Sequence, residues 1–236
     1  MPKLNVLAIS DLQIPFEHRD ALDFVKHVDK MYFPHGDRWV VNQGDEVDQH
    51  TLSGKFSPNP SGASGGDELK EAKLRLTYWF EAFPKVYVCT SNHTYRAWKK
   101  AYMCGIPAEF LKSVAEVYEA PVGWRWRDKW FHNNVCFEHG ENVSGANAAL
   151  NAAIQNQMNT SIGHQHSHAS VQWRHSNNGY IWGMNTGCLI DVEQYAFDYG
   201  KNLRIKPSLG IGVIKDDVPY FVPMFVNHQN RWLGRV

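Results

Sequence analysis

Three short apolar runs, Leu4 to Ile9, Arg38 to Val41 and Lys85 to Thr90, each stop at a small polar cluster: Asp11 with Gln13, Gly44-Asp45, and Asn92-His93. Between them the apolar spacing turns helical, over Ala21 to Val28 and over Asp67 to Phe83, where Leu69, Leu74, Leu76, Trp79 and Phe80 recur and Pro84 forces a stop. Strand and helix alternating in this way confine the first half of the chain to a layered α/β arrangement. Open sheets of that kind place their chemistry beyond the carboxyl ends of the strands, which is where the polar clusters fall.

The second half changes character. Trp124–Trp126, Val135–Glu138, Ser161–Ile162, Ala169–Trp173, Tyr180–Met184, Gly210–Lys215 and Val218–Val222 all read as strands. Helical spacing is expected at Tyr95–Tyr102, at Pro107–Tyr118 with the proline in a first turn, and at Ala146–Gln157. Lys215-Asp216-Asp217 lies between two apolar runs as a hairpin turn. The expected fold class is an α/β sandwich of two mixed β-sheets. Two further polar clusters belong to this half, His139-Gly140 and Gly163-His164 with His166.

A chain of 236 residues without a composition break is expected to be a single domain over 1–236. Gly54 to Gly66 is rich in Gly, Ser and Pro and reads as a mobile surface loop, either a plain connection or a lid over substrate. Lys plus Arg equals Asp plus Glu at 24 each, so no overall field selects a polyanionic partner, and nucleic acid is neither required nor excluded. Met1 to Ser10 lacks the organisation of a signal peptide and no apolar run reaches spanning length, so the expectation is a soluble, cytoplasmic protein with no membrane partner. Cys89, Cys104, Cys136 and Cys188 have no paired spacing and are expected as reduced thiols.

The clusters supply carboxylate, amide oxygen and imidazole, a donor set suited to Mn²⁺, Fe or Zn²⁺. Two such ions about 3.5–4 Å apart can clamp a phosphoryl group. Any one cluster is equally a set of turn and cap residues. The weight lies in five clusters in one order, on strand ends.

In that order the clusters resemble the calcineurin-like metallophosphoesterase superfamily, whose pattern is DxH, GDxxD, GNH, a later HG, and GHxH. The resemblance runs from Asp11 to His166. Ser91-Asn92-His93-Thr94-Tyr95-Arg96 looks like the GNHxxR form of phage and prokaryotic members described as DNA repair exonuclease-like, which implies the cytoplasm of a prokaryotic or phage-infected cell. The resemblance implies a four-layer α/β/β/α sandwich. It implies that Asp11, Gln13, Asp45 and His166 hold a first divalent ion and that Asp45 bridges to a second held by Asn92, His139 and His164. Mn is the foremost metal, with Fe, Zn or Ni as alternatives. A metal-activated hydroxide is then the nucleophile, His93 the proton donor to the leaving group, Asp48 the residue that orients it, and Asn92 and Arg96 the contacts to substrate phosphate.

Departures from the pattern carry information. The family usually has His where this chain has Gln13, and an amide oxygen is the weaker donor, so the first ion is expected to bind less tightly. Protein serine/threonine phosphatases follow GDxxD with Arg and GNH with Glu, whereas Gln49 and Thr94 stand here. The implied activity is therefore hydrolysis of phosphodiesters, including nucleic acid or nucleotides. The alternatives are a phosphomonoesterase, protein phosphatases included, and a non-catalytic metal-binding scaffold. Oligomeric state is not legible.

Trp124-Arg125-Trp126-Arg127 with Lys129-Trp130 interleaves aromatic and basic groups, as a base-stacking platform does. Period-two alternation, which puts both tryptophans on one face, favours an ordinary core-facing strand. His168 follows the GHxH cluster and is expected to stay outside the ligand set.

Overall fold

The computed structural model describes residues 3–53, 62–194, 197 and 204–236. In chain order the regular elements are β1 (Val6–Ile9), α1 (Ala21–Tyr32), β2 (Trp39–Asn42), α2 (Gly65–Ala82), β3 (Val86–Cys89), α3 (Arg96–Met103), α4 (Val114–Tyr118) and β4 (Trp124–Arg127), followed by β5 (Lys129–His132) and β6 (Val135–Glu138). Then come α5 (Ala148–Asn156), β7 (Asn159–Ile162), β8 (Ala169–Ser176), β9 (Gly179–Thr186), β10 (Gly210–Lys215) and β11 (Val218–Pro223).

Two mixed sheets result, as expected. One has the order β11-β10-β1-β2-β3-β4 and the other β5-β6-β7-β9-β8. In the first, β1, β2, β3 and β4 run parallel while β10 is antiparallel to β1. In the second, β6, β7 and β9 run parallel, and β5 and β8 close the edges antiparallel.

Side-chain alternation explains the layering. On β1, Leu7 and Ile9 enter one apolar cluster with Phe24, Val25 and Val28 of α1 and Leu76 and Trp79 of α2. Val6 and Ala8 point the other way, into a second cluster with Phe137 of β6 and Trp182 and Met184 of β9. All four residues of β1 are buried because both faces are covered, which is why this strand reads as a continuous apolar run. On the outer face of the second sheet, α5 packs Ala148, Ala149 and Ala152 beside Ile162, small side chains that let the helix lie close. The order is helices, sheet, sheet, helix.

Several expectations change. Pro107–Tyr118 is not one helix: a 3₁₀ turn at Ala108–Phe110 is followed by a fresh start at Val114. Ser113 forces that start, its Oγ accepting from Glu116 N at 3.3 Å while Glu116 Oε2 accepts from Ser113 N at 2.8 Å. Strand β5 was not anticipated, and it exists because Lys129–His132 finds β6 as a partner. Of the loop expected over Gly54–Gly66, 54–61 lie outside the described residues, and Gly65 and Gly66 open α2 behind a Ser64 cap.

Within Trp124–Trp130 the tryptophans serve the core. Trp124 and Trp130 are buried and donate to the carbonyls of Phe83 and Val88, each at 2.8 Å. The core-facing reading of that strand holds. All four cysteines are free thiols. Among the described residues, no helix is long and apolar enough to cross a membrane.

Candidate metal centre

The carboxyl ends of β1, β2 and β3 in one sheet and of β6 and β7 in the other open onto one crevice. Asp11 and Gln13 follow β1, Asp45 follows β2, Asn92 and His93 follow β3, His139 follows β6, and His164 and His166 follow β7. Asp11, Gln13, Asp45 and His164 have φ of 51°, 51°, 52° and 65°, so the chain turns sharply as each strand ends. Left-handed backbone of this kind is tolerated by short polar residues and resisted by the β-branched ones of the strands.

Hydrogen bonds between the loops hold them together. Asp11 N donates to Gly44 O at 3.1 Å, Gln13 N to Asp45 O at 2.8 Å, and Gly163 N to His139 O at 3.1 Å. Glycine permits the closest approaches. A Cβ on Gly44, at φ 99°, would stand 2.8 Å from both His139 Nδ1 and Ser91 Cβ, and one on Gly163 would stand 1.8 Å from Ser10 Oγ.

Two groups of side chains share Asp45. One is Asp11, Asp45 and His166, the other Asp45, His139 and His164, and in each the candidate ligand atoms lie within 4.8 Å of one another. Gln13 joins the first, its Nε2 3.2 Å from Asp45 Oδ2 and 3.3 Å from His166 Nε2. Asn92 joins the second, its Oδ1 3.1 Å from His139 Nε2. Each group thus draws ligands from both sheets. His168 stands outside both.

Donor orientation suits cations. His139 gives Nδ1 to Gln43 O at 2.8 Å, which turns Nε2 into the crevice, where His164 Nδ1 faces it at 3.1 Å. An imidazole fixed through one nitrogen so that the other can ligate is the usual arrangement around protein-bound metals. Asp45 is 1 % exposed, and its Oδ1 has no hydrogen-bond partner. A buried carboxylate oxygen left so is costly unless a cation meets it. The residues present therefore fit divalent metal, with Asp45 common to both groups. For Gln13 to ligate, its amide must turn to offer Oε1 in place of Nε2.

The electrostatics agree with that arrangement. Burial works to raise the Asp45 pKa, but the charges of His139 and His93 outweigh it and hold this carboxyl well below the usual range. Burial works to lower both His139 and His166, and the facing carboxylates, Asp45 for the first and Asp11 for the second, push them up instead. His164 is lowered, by burial and by His139 beside it.

Beside the ligands lies a second constellation. His93 Nδ1 is 3.1 Å from Asp48 Oδ1, and its Nε2 is 3.6 Å from Asp45 Oδ2. Arg96 bridges to both members of the pair, with Nη1 donating to Asp48 Oδ1 and Asp48 O at 2.8 Å each and Nη2 2.6 Å from His93 Nε2. A guanidinium only donates, so His93 Nε2 is the acceptor in this contact. The position after Asp48 holds no cation: Gln49 donates to Tyr118 Oη at 2.9 Å and accepts from Ala97 N at 3.1 Å.

Some supporting residues carry no sequence signal beyond adjacency to a ligand. Gln43 is the clearest. Besides holding His139 through its carbonyl, it donates Nε2 to Ser161 Oγ at 2.9 Å and accepts from Thr186 Oγ1 at 3.1 Å, spanning the two sheets. Ser91 Oγ accepts from Asp45 N at 3.0 Å, and the Ser10 hydroxyl donates to Asp11 Oδ2. Glu46, wholly buried and pushed up to about 7 by desolvation, takes hydrogen bonds from Trp126 Nε1 at 3.0 Å and Thr94 Oγ1 at 3.5 Å.

No protein-family model and no curated protein matches the chain. Among solved structures it is similar to vacuolar protein sorting 29 of Cryptosporidium parvum, at 12% identity over 93% of this chain and 96% of that one, with a TM-score of 0.42. Vps29 of Chaetomium thermophilum gives 10% identity over 95% and 98%, with a TM-score of 0.38. A metallophosphoesterase of Sphaerobacter thermophilus gives 11% over 79% and 77%, with a TM-score of 0.35. Scores this low carry no argument about function, and the chemistry of the site stands on its own geometry.

Proposed function

We propose that this chain is a calcineurin-like, two-metal phosphoesterase that hydrolyses phosphodiesters. The observation that carries the reading is Asp45, shared by two ligand groups and buried with an oxygen, Oδ1, that accepts no hydrogen bond and has His139 Nε2 at 3.4 Å. Asp11, Gln13, Asp45 and His166 would hold one ion and Asp45, Asn92, His139 and His164 the other. Two bound divalent ions, Mn²⁺ foremost, supply charge stabilisation at phosphorus and an acidified water.

The chain's own residues supply the rest. His93 is not needed to hold metal, yet it sits against the centre with Asp48 behind it, the placement of a proton donor to a leaving oxygen. Asp48 Oδ1 stands 3.1 Å from His93 Nδ1, on the side of the ring away from Asp45. Arg96 occupies His93 Nε2, and a phosphate oxygen is a stronger acceptor for a guanidinium than a neutral imidazole is. Arriving substrate would draw Nη2 away to its phosphate and free Nε2, which must then take up a proton from solvent before it gives one to the leaving oxygen. Gln49, engaged with Tyr118 and Ala97, offers no second cation for a doubly charged monoester, which favours the diester.

The test is hydrolysis of bis-p-nitrophenyl phosphate and p-nitrophenyl phosphate in Mn²⁺, by the parent and by Asp45→Ala. Diester hydrolysis by the parent that is lost in the variant is the expected result. Monoester hydrolysis alone would move the assignment to a phosphomonoesterase, and two bound ions with neither activity would make the chain a metal-binding scaffold.

A further inference from the structure

Helix α3 leaves the centre three residues after His93, and none of its residues is buried. Helices of globular domains ordinarily hide an apolar stripe. Here Ala97 and Trp98 instead border a cavity of about 240 Å³ shared with Leu52, Leu69 and Leu111. Arg96 and Ala101 are half-buried, and Lys99, Lys100, Tyr102 and Met103 face outward.

At 3.6 residues per turn, Arg96, Lys99, Lys100 and Met103 form one row along α3, and Tyr95, Trp98 and Tyr102 form the row beside it. Lys99 and Lys100 are exposed, Tyr95 is 44% exposed, Tyr102 81%, and Phe110, just beyond in the 3₁₀ turn, 80%. From Tyr95 to Ser113 the charged residues are Arg96, Lys99, Lys100 and Lys112 against Glu109 alone, in a chain with no net charge. The basic row starts at the Arg96 guanidinium, which touches His93 and Asp48, so it is continuous with the proposed reaction centre.

We propose that α3 and the turn after it are a track for single-stranded nucleic acid. Phosphates lie along Arg96, Lys99 and Lys100, bases stack on Tyr95, Tyr102 and Phe110, and the strand is led with a phosphodiester toward the metal centre. The inference rests on the phosphodiesterase reading and names its substrate class. Lysine is depleted from the buried centre of protein interfaces, whereas rows of cations beside exposed rings match a strand with free bases. A duplex keeps its bases stacked and offers the rings nothing. The aromatic and basic composition at Trp124–Trp130 cannot serve this way because Trp124 and Trp130 are spent on the core.

The test measures binding without turnover, by anisotropy of a fluorescein-labelled oligothymidylate of about 20 nucleotides in EDTA across a salt series. Lys99→Ala with Lys100→Ala should weaken binding at low salt at least about tenfold and flatten the log–log salt slope by about 1.4, two single-strand phosphate contacts. Tyr102→Ala with Phe110→Ala should weaken it about tenfold or more while leaving the slope alone. Lys26→Ala with Lys30→Ala, which removes the same charge from the exposed side of α1, should leave both unchanged. Circular dichroism and melting temperature confirm that each variant is folded.

The proposal fails if the parent does not bind, if the α3 variants bind as the parent does, or if the α1 control weakens binding equally. It also fails if gel filtration shows the Tyr102→Ala, Phe110→Ala variant converting a dimer to a monomer, which would give the face to a second copy of the chain. Loss of oligonucleotide binding with bis-p-nitrophenyl phosphate hydrolysis intact would leave the phosphodiesterase reading standing. Binding that follows these rules in a protein without hydrolysis would remove that reading and keep the track.

Discussion

Asp45 belongs to two ligand groups whose remaining donors are committed to different degrees. On the side of Asn92, His139 and His164, the His139 ring is already fixed by Gln43 O, and its Nε2 is hydrogen-bonded to His164 Nδ1 and to Asn92 Oδ1 at 3.1 Å each, contacts that an ion would replace without turning any side chain over. On the side of Asp11, Gln13 and His166, the donors are spent on one another: His166 Nε2 lies 2.9 Å from Asp11 Oδ1, and Gln13 Nε2 donates to Asp45 Oδ2. An ion entering there must break a charge-assisted hydrogen bond and turn an amide over. The shared carboxylate thus serves a half whose donors already point inward and a half in which an amide has to turn over, and under the two-metal proposal the two ions are expected to bind unequally.

The largest expected effect breaks both halves at once. Asp45→Ala should reduce diester hydrolysis about a thousandfold or more, beyond the 10–100-fold typical of residues that only support metal ligands. Metal analysis should show fewer than two ions per chain. A variant retaining two tight ions would show that the halves are not joined through this residue.

His93→Ala comes next. Activity should fall about a hundredfold or more, the range for a lost general acid, while metal content stays at the parental value. Full activity in this variant would remove His93 from the mechanism and leave the two halves to act alone.

Gln13→His sharpens the contrast itself. Calorimetric titration of the parent with Mn²⁺ should show two unequal steps, and the substitution should tighten the weaker one about tenfold, the scale on which changes near a metal move its affinity. Two equally tight steps in the parent would end the asymmetry argument.

The smallest effect concerns a carboxylate that needs no ion. Asp20 receives Arg231 Nε and Nη2 at 2.8 Å and Trp232 N at 2.9 Å, and the Arg231 hydrogen bonds, working against burial, hold its pKa below 3.8. A lowered folded-state value means stability that is present above 3.8 and lost as pH falls through the folded pKa. With Arg231 half exposed and screened by solvent, the contribution should be small. Thermal melts of the parent and Asp20→Asn should differ at about pH 6, converge once the pH falls below the folded-state pKa, and respond identically to EDTA.

The strand ends were legible because each central strand is buried on both faces, and the switch from continuous apolar residues to Asp, Asn or His marks where that cover stops. Strand β5 was not, since Lys129-Trp130-Phe131-His132 alternates aromatic and basic groups and only the approach of β6 makes it a strand. Nor was the position of Arg96, which local pattern shows as the first residue of an exposed helix. Its contact with Asp48 depends on the tight turn at Gln49, at φ 56°, bringing the two loops together. Gln43 and Ser91 look like ordinary strand-end polar residues, because what gives them purpose is a neighbour from another strand.

Gln43 has a consequence for how this protein could be tuned. Through its carbonyl, amide and side-chain oxygen it ties the end of β2 to His139, Ser161 and Thr186 of the opposite sheet. The span of each ligand group, with Asp45 on one sheet and its histidines on the other, is therefore a property of how far apart the sheets stand, and the sheets are spaced by Val6, Ala8, Phe137, Trp182 and Met184 in the core behind them. A change of side-chain volume in that core, chemically silent and remote from the crevice, would act as an adjusting screw on how closely the donors of each group converge.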